Sequence, residues 1–185
     1  MKRPRSIAII PSRLESSRLP RKALADICGL PMIVHVFRRC QLAESLDEVL
    51  VATDSNEIMT VVEQYGGKSI MTSKHHENGT ERMAEAARNI EADIFVNVQG
   101  DEALVKPEHI DAAVNALIED ENAQVAILVN EFSRRNSPSD IKTVLDEQNN
   151  VMYLSRSDIP SSARTDNPPL LKAYHILPFR RDLLL

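Results

Sequence analysis

Apolar runs alternate with segments of helical periodicity through most of the chain. Runs such as 7–10 and 94–98 are apolar at successive positions, which is typical of strands buried on both faces of a parallel sheet. Between the runs, apolar residues recur every three to four positions, as in helices that pack on a sheet. This alternation predicts a doubly wound α/β fold with a mostly parallel sheet. The predicted strands are 7–10, 48–53, 68–71, 94–98 and 124–129, and the predicted helices are 32–42, 58–65, 108–118 and one that begins at Gly79-Thr80.

The last part of the chain has a different pattern. Residues 142–146 and 151–155 predict two short antiparallel strands around an Asn149-Asn150 turn. Residues 170–177 predict a final strand, and we expect Pro178 to begin a helix because proline is tolerated in a first turn. These elements predict a small antiparallel lobe beside the parallel sheet.

Length and composition are those of one ordinary globular domain. Apolar residues make up 43% and charged residues 26% of the 185 residues, and no run approaches the roughly 20 apolar residues that a membrane span needs. The apolar run after the basic N-terminus is too short for a signal peptide. Cys28 and Cys40 have neither CxxC nor metal spacing, so we expect reduced thiols in a cytoplasmic protein. The single domain, 1–185, divides into an α/β core over about 1–130 and a lobe over about 131–185.

A basic loop follows the first predicted strand. Residues 1–22 have a formal charge of +6 whereas the whole chain has −5, which leaves −11 on the remainder. Open α/β folds bind ligands at the carboxyl ends of their strands, and arginine forks and lysine ammonium groups suit phosphate oxygens. The loop therefore predicts a local polyanion site and not a nucleic-acid surface, with a solvated basic loop as the alternative. Its cationic residues are Arg13, Arg18, Arg21 and Lys22.

A carboxylate follows the predicted strand 94–98, which ends in Gln99-Gly100-Asp101-Glu102. If the strands are parallel, Asp101 lies at the same edge of the sheet as the basic loop. Mg²⁺ in phosphate sites is commonly held by one or two carboxylates together with phosphate oxygens and water. The alternative is a turn in which Gly100 supplies a positive φ and Asp101 caps locally.

A second polar loop, 72–82, runs into the helix predicted from Gly79-Thr80. The free N–H groups at a helix start attract anions and ring acceptors, so this loop is expected to border a ligand. Adjacent histidines on a loop rarely chelate a metal alone, and we expect His75 and His76 to be solvated.

Eight short motifs occur in the order found in one family of enzymes. Together they resemble the 3-deoxy-manno-octulosonate cytidylyltransferases, also called CMP-Kdo synthetases. Each motif alone is weak, but the set covers the chain from residue 7 to about residue 182 and is specific in this order. The motifs are Ile10-Pro11-Ser12-Arg13, Ser17-Arg18-Leu19-Pro20-Arg21-Lys22, Gly29-Leu30-Pro31-Met32-Ile33, Val51-Ala52-Thr53-Asp54, Met71-Thr72, Gly79-Thr80-Glu81-Arg82, Asn97-Val98-Gln99-Gly100-Asp101-Glu102 and Tyr153-Leu154-Ser155-Arg156.

The resemblance implies a fold of the sugar-nucleotide transferase type in a homodimer that depends on Mg²⁺ and binds neither nucleic acid nor membrane. The implied reaction transfers CMP from CTP to a 3-deoxy sugar acid, Kdo or a close analogue, and releases pyrophosphate for lipopolysaccharide biosynthesis. In this scheme the chain is a single nucleotidyltransferase domain. Its core, about 1–130, binds CTP, and its lobe, about 131–185, is an incomplete sugar-acid and dimerisation lobe.

The resemblance also assigns residues. It implies that Arg13, Lys22 and Asp101 are catalytic residues and that Asp101 is the metal ligand. The sugar acid is bound by Gln99 and Arg156. The nucleotide is bound by Pro11, Arg13, Arg18, Lys22, Gly79, Thr80, Arg82 and Gln99.

Several positions depart from the family. Arg21-Lys22-Ala23 stands where Gly-Lys-Pro is usual, and Ser12 stands where alanine is usual. Ala173 and Leu177 replace a histidine and a tyrosine that help to define the sugar pocket. The family also continues beyond residue 185 with a second metal-binding aspartate, so we expect a chain that lacks its C-terminal part.

Three alternatives remain from the sequence. The first is a cytidylyltransferase for another, sialic-acid-like sugar acid. The second is a catalytically incomplete CTP-binding fragment or pseudoenzyme. The third, a dinucleotide-binding oxidoreductase, is disfavoured because no GxGxxG motif follows Ile10.

Overall fold

The computed structural model describes residues 3–15, 19–164 and 168–185. The chain divides into two compact units. The first comprises Met1–Ala126 together with Ile176–Leu185, and the second is Ile127–His175. In chain order the strands are β1 (Ser6–Ser12), β2 (Asp26–Ile27), β3 (Leu30–Pro31), β4 (Glu48–Thr53), β5 (Lys68–Met71), β6 (Ile94–Val98), β7 (Val129–Phe132), β8 (Lys142–Leu145), β9 (Val151–Ser155), β10 (Leu170–Ala173) and β11 (Ile176–Arg180). The α-helices are α1 (Met32–Cys40), α2 (Asn56–Gln64), α3 (Gly79–Ala87), α4 (Pro107–Glu119) and α5 (Arg181–Leu184).

The first unit is built on a five-stranded sheet with the order β11-β6-β1-β4-β5. The strands β6, β1, β4 and β5 are parallel, and only β11 at the edge is antiparallel to its neighbour β6. The unit also contains a small hairpin of β2 and β3. The predicted α/β fold class with a mostly parallel sheet is confirmed.

Both faces of the central strand are buried. Ile7 and Ile9 pack with Met83 of α3 in one apolar cluster. The alternate residues Ala8 and Ile10 are fully buried as well, as expected where successive side chains of a strand point to opposite faces and helices cover both. This rigid centre fixes the carboxyl end of β1, which is where the site lies.

The predicted strand 124–129 is wrong in its extent. Only a short stretch beside β11 pairs there, through a bridge between Val125 and Phe179 and a hydrogen bond from the Ala126 N–H to the Pro178 carbonyl. The chain then passes from the first unit to the second, and a new strand, β7, begins at Val129.

The predicted strand 170–177 is two strands that belong to different units. β10 pairs with β7 and β8, whereas β11 pairs with β6 in the parallel sheet. For this reason Ile176–Leu185, which we assigned to the lobe, belongs to the first unit. Pro178 lies inside β11 and does not begin a helix, since an edge strand tolerates the missing N–H donor of proline.

The second unit is a four-stranded antiparallel sheet with the order β7-β10-β8-β9. The predicted antiparallel pairing of β8 with β9 is confirmed. Lys142 is fully buried in this unit, and its Nζ donates to the carbonyls of Ser137, Asp140 and Arg156 at 2.7, 2.9 and 2.6 Å. A buried ammonium group is tolerated only when its donors are satisfied, as they are here.

Among the described residues, no helix has both the length and the apolar character needed to cross a membrane.

Candidate active site

The carboxyl ends of β1 and β6 lie side by side, because the two strands are parallel neighbours. Arg13 follows β1, and Gln99-Gly100-Asp101 follows β6. A cavity of about 330 Å³, called here the first cavity, opens at this edge of the sheet. The basic loop and the predicted carboxylate therefore meet in one place. The lining includes Pro11, Ser12, Arg13, Lys22, Gln99 and Asp101.

Lys22 and Asp101 form an ion pair in the wall of the first cavity, with 2.5 Å between Nζ and Oδ2. Their side chains keep 35% and 46% of their exposure, so the pair contributes little stability and both groups stay accessible to a ligand. Lys22 begins a short 3-10 helix, Lys22–Leu24. The preceding residue, Arg21, has a left-handed backbone with φ 57°, and its guanidinium pairs with Glu57. The left-handed region favours glycine, the residue that the resembled family usually has there.

Two glycines let neighbouring loops approach β1 at Pro11. A Cβ on Gly100 would lie 2.8 Å from the Pro11 carbonyl oxygen. A Cβ on Gly79 would lie 2.9 Å from Pro11 Cγ. Gly100 is therefore needed for close packing; positive φ among the described glycines occurs at Gly29 and Gly66 instead.

Arg13 stands where three cavities adjoin. A second cavity of about 160 Å³ is lined by Arg13 together with Gly79, Arg82 and Gln99. A third cavity of about 440 Å³ extends from Arg13 past Arg82 to Asp54 at the end of β4. Six of the predicted nucleotide-binding residues thus line these cavities: Pro11, Arg13, Lys22, Gly79, Arg82 and Gln99.

Arg82 is 4% exposed and joins three elements. Its Nη2 donates to Asp54 Oδ2 at 2.8 Å, and its Nη1 donates to Thr72 Oγ1 at 2.6 Å and to the Ser73 carbonyl at 3.1 Å. A charge that is buried so deeply is stable only when it is paired and hydrogen-bonded. Arg82 therefore holds the ends of β4 and β5 against α3, in addition to lining the second and third cavities.

Two side-chain hydrogen bonds in series connect the end of β6 to the start of α3. Gln99 Nε2 donates to Asn97 Oδ1 at 3.5 Å, and Asn97 Nδ2 donates to Thr80 Oγ1 at 3.4 Å. These are long hydrogen bonds, but they satisfy an amide that is only 1% exposed at Asn97. Thr80 thus contacts the site through Asn97, while Gln99 lines the first and second cavities directly.

His76 is not solvated, contrary to our expectation. Its side chain is 18% exposed, and its Nε2 contacts the Glu85 carboxylate on α3. The hydrogen bond from His76, and then that from the Ser73 N–H, holds the pKa of Glu85 below its usual range. Sequence reasoning missed this pair, although Glu81 and Glu85 are four residues apart and so share the helix face beside the loop.

The structure does not test the roles of two predicted residues. Arg156 lies in the second unit, where its Nη1 donates to the Pro138 carbonyl at 2.9 Å. Arg18 lies outside the described residues. Their roles stay predictions.

The metal prediction rests on one carboxylate. Across residues 3–15, 19–164 and 168–185, no three His, Cys, Asp or Glu side chains gather into a metal cluster. Mg²⁺ does not need one, because it takes one or two carboxylates and completes its shell with phosphate oxygens and water. Asp101, exposed beside a cavity that Arg13 and Lys22 also line, fits that kind of site.

Comparison with known proteins first gives the class. The family described as cytidylyltransferase matches residues 7–183, so the chain belongs to that class of nucleotidyltransferase. The 3-deoxy-manno-octulosonate cytidylyltransferase of Chlorobium limicola is 44% identical over 160 residues, which is 84% of this chain and 65% of the relative. The enzyme of the same name from Escherichia coli is 38% identical over 182 residues, 97% of this chain and 74% of the relative.

A solved structure described as CMP:2-keto-3-deoxy-manno-octonic acid synthetase complexed with CTP is similar throughout. It matches with a TM-score of 0.93 and 38% identity, over 97% of this chain and 76% of that chain. The chain belongs to the 3-deoxy-manno-octulosonate cytidylyltransferase family, and the resemblance drawn from its motifs is confirmed. The chain spans about two thirds to three quarters of the length of these relatives.

Proposed function

We propose that this protein transfers CMP from CTP to a 3-deoxy sugar acid, Kdo or a close analogue, and releases pyrophosphate. The observation that carries the proposal is the convergence of Arg13, Lys22 and Asp101 on the first cavity. That convergence occurs in a member of a family with a solved relative that is described as complexed with CTP. The product would serve lipopolysaccharide biosynthesis, and the reaction would take place in the cytoplasm.

The reaction joins two anions, so charge must be neutralised first. The anomeric hydroxyl of the sugar acid attacks the α-phosphorus of CTP. A new P–O bond forms, the bond to the pyrophosphate oxygen breaks, and the hydroxyl proton is released. Such a transfer depends on positioning and on fixed positive charge more than on covalent chemistry.

Arg13 and Lys22 are the proposed triphosphate ligands, with Arg18 as a third. Arg13 can donate two parallel hydrogen bonds to phosphate oxygens, and Lys22 acts as a point charge. Both line the first cavity, and Lys22 is held there by Asp101. Their cationic groups are therefore available to phosphates bound in that cavity.

Mg²⁺ is the proposed cofactor, with Asp101 and the phosphate oxygens of CTP as its ligands. When bound, it would polarise the α-phosphate and neutralise the developing charge. In the part of the chain that the structure describes, the Asp101 carboxylate lies next to Lys22 and not in a cluster of carboxylates, so the phosphates must supply further oxygen ligands. Metal affinity should therefore depend strongly on CTP.

The cytidine moiety is proposed to lie in the second cavity. Pro11, Gly79, Arg82 and Gln99 line it, and Thr80 supports it through Asn97. A cavity of about 160 Å³ suits one pyrimidine ring better than a long flexible ligand.

Gln99 and Arg156 are the proposed ligands of the sugar acid. Gln99 lines the first cavity, and Arg156 offers a guanidinium that matches a carboxylate. Ala173 and Leu177 stand where the family usually has a histidine and a tyrosine, so a close analogue of Kdo is as well supported as Kdo itself. A sialic-acid-like acceptor is the alternative that the same observation permits.

We also propose a homodimer formed through β9, the outer strand of the second-unit sheet. Its residues Met152, Tyr153 and Leu154 are 67%, 65% and 45% exposed, and the strand carries no charge. Exposed, uncharged, apolar edge strands invite pairing with another chain. Light scattering should give a dimer for the wild type and a monomer for Tyr153→Lys, with Leu42→Lys, at another exposed apolar site, as control. A monomeric wild type would refute the dimer.

The experiment that tests the function is pyrophosphate release with CTP, Mg²⁺ and a panel of 3-deoxy sugar acids. Release with Kdo would support the proposal as stated. Release with another acid alone would keep the chemistry and assign the difference to Ala173 and Leu177. CTP binding without release would favour a catalytically incomplete fragment or pseudoenzyme, and absence of both would overturn the proposal.

A further inference from the structure

Two residues of the loop between β5 and α3 contact one carboxylate, that of Glu85 on α3. Both oxygens of Glu85 accept from the Ser73 N–H, at 3.2 Å for Oε1 and 3.0 Å for Oε2. The His76 ring contacts the same carboxylate through Nε2. One side chain of α3 therefore holds two points of the loop that are three residues apart.

We infer that Glu85 is a positioning residue of the nucleotide site, which acts by fixing His76 in the cavity wall and Ser73 beside Arg82. The inference deepens the proposed function and depends on it for the identity of the ligand. His76 lines the second and third cavities together with Arg13 and Arg82. Glu85 does not line either cavity among the residues that the structure describes there, so any effect on the ligand must pass through the loop.

Ser73 connects this carboxylate to Arg82. Its N–H donates to Glu85, and its carbonyl accepts from Arg82 Nη1 at 3.1 Å. Arg82 in turn pairs with Asp54 at 2.8 Å. If the hydrogen bond between Ser73 and Glu85 is lost, we therefore expect the hydrogen bond from Arg82 to the Ser73 carbonyl to weaken as well. That hydrogen bond is one of those that orient the Arg82 guanidinium.

Charged groups of both signs surround His76. Besides Glu85, the Glu81 carboxylate lies 4.0 Å from His76 Nδ1, while Arg13, Lys74 and Arg82 line the third cavity with it. The carboxylate of Glu85 can only accept, so the Nε2 atom of His76 carries the proton in this contact. The pKa of Glu85 is lowered by this contact and by Ser73, so the carboxylate is ionised at neutral pH and the link persists there.

The test compares Glu85→Gln with Glu63→Gln. The glutamine side chain in the first variant would keep the shape and one acceptor oxygen but lose the charge and one of the paired acceptors. The control is matched because Glu63, on α2, accepts from Ser69 on β5 at 2.9 Å and lines none of the three cavities in the described structure. We expect CTP affinity, measured by calorimetry with Mg²⁺, to fall about tenfold for Glu85→Gln and to stay within about twofold for Glu63→Gln.

Three further readouts separate positioning from stability and from the proposed function. Amide hydrogen exchange at Ser73 should speed up in Glu85→Gln, without CTP and at an unchanged melting temperature. His76→Asn should also weaken CTP binding, and the double variant should lose less than the product of the two losses, because both act through one contact. Unchanged Ser73 exchange, or CTP affinity no lower than in Glu63→Gln, would overturn the inference. If the wild type binds no CTP, the proposed function fails, while the exchange measurement still decides whether Glu85 fixes the loop.

Discussion

Lys22→Ala separates the stability role of Lys22 from its role in binding. The Lys22–Asp101 pair is 2.5 Å long, but its side chains are 35% and 46% exposed. Exposed ion pairs contribute about 0–1 kcal/mol, so loss of the pair should hardly change the free energy of unfolding. Hydrogen bonds to charged groups contribute about 1.5–3 kcal/mol, so loss of the ammonium facing phosphate should weaken CTP binding about 10- to 150-fold.

The assay is calorimetric titration of CTP in the presence of Mg²⁺, with thermal unfolding of the same samples. Lys68→Ala is the matched control, because Lys68 forms a comparable exposed pair with Glu48, 2.6 Å long, away from the three cavities. The control should leave CTP affinity within about twofold. Unchanged affinity in Lys22→Ala would remove Lys22 from the phosphate site. A large loss of stability there would show that the pair has a structural role that its exposure does not suggest.

Further predictions test other parts of the two units. Asp101→Asn should abolish Mg²⁺-dependent pyrophosphate release with an unchanged circular dichroism spectrum, and undiminished release would exclude Asp101 from the mechanism. Gly100→Ala should lower the free energy of unfolding by about 1–3 kcal/mol in urea titration, because its Cβ would lie 2.8 Å from a backbone oxygen; no loss would mean that the loop can shift freely. Lys142→Met should speed up hydrogen exchange throughout the second unit, as it leaves three carbonyls without their donor, and exchange confined to the site would contradict this. The pKa of Asp140 is lowered, chiefly by Lys172, so its stabilisation should be lost as pH falls below the usual aspartate range, and Asp140→Asn should flatten that acid limb.

Much of the parallel sheet was predictable because its central strands are apolar runs that end in a turn or a cap. The bounds 48–53, 68–71 and 94–98 match the strands β4, β5 and β6. The errors concern segments whose structure depends on pairing with a strand far away in the sequence. Residues 176–180 form the strand β11 because they pair with the edge of β6. From the local sequence alone, we predicted that Pro178 begins a helix.

In the candidate site, too, some features were predictable from the sequence and others were not. Arg13 and Asp101 were predictable because each follows a strand of a parallel sheet, and such strand ends share an edge. The contacts of Arg82 and His76 were not, since they depend on how α3 packs against the loops after β4 and β5. Helix spacing shows which residues share a face, but it does not show what that face meets.

On the proposed function, the Lys22–Asp101 pair would let one edge of the sheet serve two ligands of opposite charge. In the free protein each group neutralises the other, and this avoids an isolated charge at the cavity. On the proposed function, Lys22 turns to the triphosphate, and the freed Asp101 carboxylate becomes available to Mg²⁺. The exchange needs little free energy because the pair is exposed and contributes only about 0–1 kcal/mol. It follows that CTP and Mg²⁺ should bind cooperatively in the wild type, and that Lys22→Ala, in which Asp101 is already free, should bind Mg²⁺ with less dependence on CTP.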